Sequence, residues 1–275
     1  MCGVVSFNPV VAALLALAAY LYVRAVGILA ARGYEVPRGQ QAAWWGGLFL
    51  TAVALLGPPD ALSGDLMSAH MAQHLLIADL AAPLLLVGLR TPVLVFYLPR
   101  PVLVPLARQR RLRSAFRFVR QPLVAIVIYV IVLYGWHIAF AFEGALRSPA
   151  LHALQHQSFV IASLLVWWPA IEPKRRRLRG ELWKAGHIMG CRLAGMFLAM
   201  AFIIASSPFY AGYYGNRPQT EHGIDPLLDQ QIAGGLMMGL DLAIMFFALA
   251  FFFFRSAQDH DRAEAQERAA AVAAR

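Results

Sequence analysis

Charged residues are scarce in this chain. Only 14% of its 275 residues are Asp, Glu, Lys or Arg, whereas 60% are hydrophobic. A soluble domain is roughly a quarter charged and about half apolar. The apolar residues also fall in long runs rather than alternating stripes, which excludes a soluble globular domain and places the chain in the membrane class. Short alternating strands are missing, which excludes a transmembrane barrel. Cysteine is nearly absent: Cys2 and Cys191 are the only two. They form no CxxC and sit too far apart along the chain's topology for a disulfide scaffold. No internal repeat is visible, which argues against an inverted-repeat transporter. There is no phosphate loop, no nucleotide signature, no nucleophile-and-base set and no HExxH, so an enzyme is not expected. The N-terminus lacks a basic region and a small-residue cleavage site, so its first apolar run is expected as a retained span and not a signal peptide.

What is present is an all-α pattern. Seven apolar runs can be marked: Val10–Ala31, Ala42–Gly57, Leu66–Leu89, Pro122–Phe142, Leu151–Ile171, Ala185–Ser206 and Leu227–Phe254. Each is of a length to cross a hydrocarbon core about 30 Å thick, and helices are the element that can do so. The expected architecture is a seven-helix membrane bundle over residues 1–255, followed by a tail over 256–275 that is a frayed helix or disordered. Pro92, Pro99, Pro101 and Pro105 rule out a regular helix over Pro92–Leu106, which is expected as an interfacial or partly re-entrant loop.

The net charge of +9 would suggest nucleic acid in a soluble protein. Here the basic residues collect in alternate connections. Arg90 to Arg120 holds eight arginines; Lys174, Arg175, Arg176, Arg177, Arg179 and Lys184 form a second basic loop; Arg32 and Arg38 mark the first, and Arg255, Arg262, Arg268 and Arg275 the tail. The intervening connections contain only Arg147 and Arg217. Basic loops are retained in the cytoplasm. Seven spans reproduce the alternation, with the N-terminus outside and the C-terminus cytoplasmic, and nucleic acid is not an expected partner.

On that frame the histidines separate into layers. His70 and His74 lie about one and two turns into the third span from outside. His137 lies one turn from the outer end of the fourth span, and His152 and His156 lie in the first two turns of the fifth. Five of the eight histidines therefore share one thin outer layer on three helices. His70–His74 and His152–His156 are i, i+4 pairs, each projecting from one helix face. Two such faces meeting in a bundle make a natural metal site, since imidazole suits copper, zinc, iron and nickel. Met67 and Met71 lie on or beside the same face, and soft thioether sulfur tilts the choice toward Cu(I). Asp229, Gln230 and Gln231 enter the same layer on the seventh span and could fix imidazole tautomers. Asp79, Arg192 and Asp241 fall at one deep level, where Arg192 is expected to pair with one or both aspartates; a proton or ion relay is the alternative. His187 and His260 lie too far inward to join the outer layer. His222 could serve as a mobile outer ligand, and Glu143 and Glu221 are expected as solvated outer acids.

The segments HMAQH (His70–His74), WH (Trp136–His137), HALQH (His152–His156), WWP (Trp167–Pro169) and DQQIAG (Asp229–Gly234) occur in that order. Together they resemble the cytochrome c oxidase assembly factors of the CtaG type, found with caa-type oxidases, over about residues 40 to 255. Where that pattern commonly has an aromatic residue after the last methionine, this chain has Met238. The resemblance implies a multi-pass protein of the bacterial plasma membrane that helps a haem–copper oxidase mature by binding or delivering copper. It implies oxidase subunits or other copper-assembly proteins as partners, and the five outer-layer histidines as ligands. Two other readings stay open: a bis-histidine haem protein, with haem as the cofactor, and a metal-ion or proton transporter using the buried charges.

Overall fold

A computed structural model describes residues 8–171, 182–216 and 222–273. Lys174, Arg175, Arg176, Arg177 and Arg179 of the second basic loop, with Cys2, Arg217, Glu221 and Arg275, lie outside the described residues. All regular structure among the described residues is helical. Helix α1 (Pro9–Ala30) starts at Asn8, whose side chain accepts from the backbone N–H groups of Val10 and Val11, an N-cap that satisfies donors the helix leaves orphaned. Helix α2 (Arg38–Leu56) and the short α3 (Pro58–Leu62) lead to α4 (Met67–His74).

The rod that begins with α4 changes its winding after His74. Leu75–Ala81 is π-helical and runs on into α5 (Ala82–Gly88). Pro83 supplies the reason: it has no N–H for the carbonyl four residues back, that of Asp79, and its ring crowds that carbonyl. Wider winding relieves both, and single π-helical turns of this kind gather at functional sites. The carbonyl of Ala78 is picked up by the Ser163 hydroxyl.

The Pro-rich stretch that follows differs from the irregular loop expected. It folds as α6 (Val93–Tyr97), α7 (Arg100–Arg108) and the basic α8 (Arg110–Val119). Its prolines are accommodated because Pro92 and Pro99 sit at N-caps and Pro101 in a first turn, leaving only Pro105 inside a helix. Helix α8 then meets α9 (Pro122–His137) at 79°. Helices α10 (Ala139–Arg147), α11 (Pro149–Ile171) and α12 (Leu182–Ile204) follow. The last helix, α13 (Pro226–Ala273), has 48 residues and carries straight through the tail that was expected to fray. That segment is rich in good helix formers and adds the pairs Arg262–Asp259 and Arg268–Glu264 along its side.

Five helical stretches are long and apolar enough to cross a membrane: Pro9–Ala30, Arg38–Leu62, Met67–Gly88, Leu182–Ile204 and Pro226–Ala271; the bent α8–α9 pair makes a sixth if it is one span. Two of the seven expected runs therefore fall short of the same standard. Helix α9 has 16 residues, about 24 Å of rise against a core of about 30 Å. It stops because Ile138 is extended, with φ −67° and ψ 133°. Helix α11, at 23 residues, is long enough, but His152, Gln155, His156, Gln157, Ser158 and Ser163 dilute its apolar character.

The main core gathers α4, the π segment, α9, α11, α12 and α13 around residues such as Met71, Val166, Ile188 and Phe202. A smaller core joins α1 to α2 and α6 through Tyr22, Trp44 and Val93, with the Tyr22 and Trp44 rings stacked at 4.6 Å. Small residues set the approach of α2 to α5. A Cβ on Gly88 would lie 2.8 Å from the Trp44 Cα, the close backbone contact that membrane helices favour.

Candidate metal centre

Helix α4 presents His70 and His74 on one face, and α11 presents His152 and His156 on another. The faces meet. Ring centroids are 4.3 Å apart for His70–His74, 4.2 Å for His152–His156, 5.0 Å for His70–His152 and 5.1 Å for His74–His156. One nitrogen from each of His70, His74 and His152 lies within 4.8 Å of the others. His70 is fully buried, His74 and His156 nearly so, and His152 half-buried.

Both ring nitrogens of His70 and of His74, and Nε2 of His152 and His156, have no hydrogen-bond partner among the described residues. Leaving a buried polar atom unpaired costs about 1–3 kcal/mol, and native structures rarely leave several together. The residues fit a metal ion on that ground. Three imidazoles, of His70, His74 and His152, bring a nitrogen each into one volume, the His156 ring packs against His74 and His152, and the nitrogens named above have no partner among the described residues. The Gln155 side chain sits beside His70, fully buried, with neither amide atom in a well-formed hydrogen bond among the described residues. Phe142 and Phe159 wall the pocket, at 5.1 Å from His70 and 4.9 Å from His74.

His137 stands apart from these four. Its ring lies 5.8 Å from Phe142 and 6.0 Å from Phe159, and it lines one small cavity with His74. Its Nδ1 donates to the Leu133 carbonyl at 2.7 Å, and Tyr210 holds its own carbonyl at 3.1 Å. The break at Ile138 ends α9 there, so the ring is placed by a helix end and not by a regular face. Met67 and Met71 are both buried beside the cluster.

Asp229 and Gln230 act through backbone groups. Helix α4 has no cap of its own; Asp229, reaching from α13, accepts from the N–H groups of Met67 at 2.5 Å and Ser68 at 3.2 Å. It thereby caps the helix that carries His70 and His74. Gln230 accepts from Phe209 N–H at 2.7 Å and donates to the Phe202 carbonyl at 3.3 Å, pinning the chain after α12. Gln231 is half-buried.

Deeper in the bundle, Arg192 Nη1 contacts Asp79 Oδ1 and lies 3.1 Å from Asp241 Oδ1. Its guanidinium lies over the Tyr129 ring, 5.3 Å from the centroid. Gly195 leaves the room: a Cβ there would sit 2.2 Å from an Asp241 carboxylate oxygen.

The other polar residues have local partners. His187 contacts the Val166 carbonyl at 2.9 Å, and His222 pairs with Asp65 at 2.7 Å instead of reaching the pocket. Glu143, expected to be merely solvated, binds Arg147 at 2.9 Å and accepts from Gly212 N–H at 2.9 Å. His260 is exposed on α13. Two buried residues went unnoticed in the sequence. Gln73 donates to the Ala54 carbonyl and to Asp60, at 3.1 and 2.7 Å, and Gln155 is described above. The repeated H-x-x-Q-H spacing of the two histidine pairs was the available signal for both.

The architecture is that of a multi-span helical membrane protein with a largely buried cluster of imidazoles. A family model described as cytochrome c oxidase caa3 assembly factor matches residues 20–259. The chain belongs to that family. No curated protein and no solved structure matches it.

Proposed function

We propose that this protein assembles a haem–copper oxidase by holding copper, as Cu(I), at His70, His74, His152 and His156 and releasing it to the oxidase in the same membrane. Copper is the cargo, and the role is not catalytic. The observation that carries the reading is the meeting of these rings, with one nitrogen each of His70, His74 and His152 within 4.8 Å of the others and six buried ring nitrogens of the four without a partner among the described residues. Imidazole suits copper, and the buried thioethers of Met67 and Met71 tilt the choice toward the softer, monovalent ion. Haem is disfavoured by spacing: rings 4.2–5.1 Å apart across the cluster leave no width for a porphyrin between axial ligands.

The topology that suits this task has seven spans, with α9 and α11 added to the five that qualify alone. The basic α8, Arg90 and Arg255 then face the cytoplasm of a bacterial cell, and the imidazole pocket lies just under the outer surface of the plasma membrane. Oxidase subunits or other copper-assembly proteins are the partners. Elemental analysis of detergent-purified protein tests the site. Copper is expected with the wild type, and its content drops in the H70A/H152A variant. An unchanged content in that variant would refute the proposal.

A further inference from the structure

Beneath the four imidazoles is a second feature that they do not use. A cavity of about 40 Å³ is lined by Met71, His74, His137 and Met237, and also by Asp79 and Asp241. A single water needs roughly 10–15 Å³ measured this way, so the space takes an ion together with a water or two.

We propose that Met71, His74, His137 and Met237 form a second, sulfur-bearing Cu(I) station, sharing His74 with the four-imidazole cluster. The proposal rests on the same reading of copper as cargo and extends it inward by one step. His137 is prepared as a ligand. Because Nδ1 donates its proton to the Leu133 carbonyl, Nε2 is the nitrogen left with a free lone pair. That atom is sealed from solvent and has no hydrogen-bond partner among the described residues. Metal-binding histidines are held in this way, with one N–H on a backbone carbonyl and the other nitrogen aimed at the ion.

The sulfur comes from two helices. Met71 on α4 and Met237 on α13 are both buried, at 2% and 5% exposure. Two thioethers with two imidazoles form a soft donor set, which selects Cu(I) over zinc or magnesium. The walls between, Leu75, Leu133 and Phe159, give no competing hydrogen bonds.

Charge fits as well. Asp79 and Asp241 with Arg192 form a group of formal charge −1 when both carboxylates are ionised, and the two aspartates line the same cavity. A buried ion is tolerated when an opposite charge lies near it, and one excess negative charge matches a monovalent cation. The π segment makes this geometry available. Its i→i+5 hydrogen bonding brings residues five apart onto one face, which lets His74 and Asp79 line a single cavity.

The test uses the full chain in detergent, loaded anaerobically with Cu(I) alone, and reads copper per protein and copper–sulfur scattering by X-ray absorption. The wild type is expected to hold two coppers and to show sulfur ligation. M71L/M237L, a swap that conserves volume, is expected to lose one copper and the sulfur signal. H70A/H152A is expected to lose one copper and keep the sulfur signal. M237L alone, should the double variant fold poorly, is expected to halve that signal. A wild type without sulfur ligation, or a sulfur signal that survives M71L/M237L, overturns the second station and leaves the four-imidazole site standing. Unchanged copper in H70A/H152A, with sulfur lost in M71L/M237L, supports this station and sinks the other.

Discussion

Two polar layers share this bundle and treat their buried atoms differently. At the histidine end, six buried ring nitrogens have no partner among the described residues. Elsewhere in the bundle, Arg192 meets two carboxylates and lies against Tyr129. The deeper layer offsets charge with charge inside the chain. The upper layer holds buried rings whose nitrogens have no hydrogen-bond partner among the described residues. Low-dielectric surroundings make each arrangement costly to leave incomplete; the deeper one is completed by its own ions, and on the proposed reading the upper one is completed by a metal ion.

Replacing Arg192 with Met attacks that contrast most directly. Two carboxylates would remain buried without their cation, a loss expected at about 3–5 kcal/mol. Thermal unfolding in detergent should show a large drop in the midpoint, and adding D79N and D241N to R192M should restore more than half of it. No recovery would mean that the deep layer is more than an ion pair.

The upper layer should respond to ligand and not to pairing. Filling the proposed four-imidazole site with Cu(I) at one hundred times its dissociation constant is expected to raise stability by about 2.7 kcal/mol. H70A/H152A should lose that increment and keep only the rise that the second station contributes. An undiminished rise in the variant would place the ion elsewhere.

D229A tests the link between layers and helix ends. Losing an N-cap costs about 1 kcal/mol, and here the freed end is that of α4, so copper affinity should fall along with the unfolding midpoint. D229N should retain much of both. The smallest effect is expected from S163A, which frees the Ala78 carbonyl of the π segment and should cost about 0.5–1.5 kcal/mol in the same assay.

How far the site could be read from residue order follows from which forces are local. His70 and His74, like His152 and His156, share faces because helical periodicity is local and the runs are long. The shared depth of Asp79, Arg192 and Asp241 came from counting rise along straight helices. What could not be read depended on breaks and on neighbours. Pro83 rewinds the rod after His74, and the extended Ile138 ends α9 at His137. Asp229 serves a helix 162 residues away in sequence, at Met67, a partnership that no spacing rule encodes. The prolines of α6 and α7 looked like breakers because each was weighed alone. In place they fall mostly at caps and first turns, where a missing N–H is harmless.

One helix has mechanical weight. The 48 residues of α13 extend about 72 Å at helical rise, and along that rod sit Asp229 at the end of α4, the buried Met237, Asp241 of the deep layer and the charged tail. Because the rod is uninterrupted, an axial tug or twist on its tail has no hinge in which to dissipate. A protein gripping residues beyond Arg255 would displace Asp229, Met237 and Asp241 as one piece, and the grip would be transmitted to all three at once.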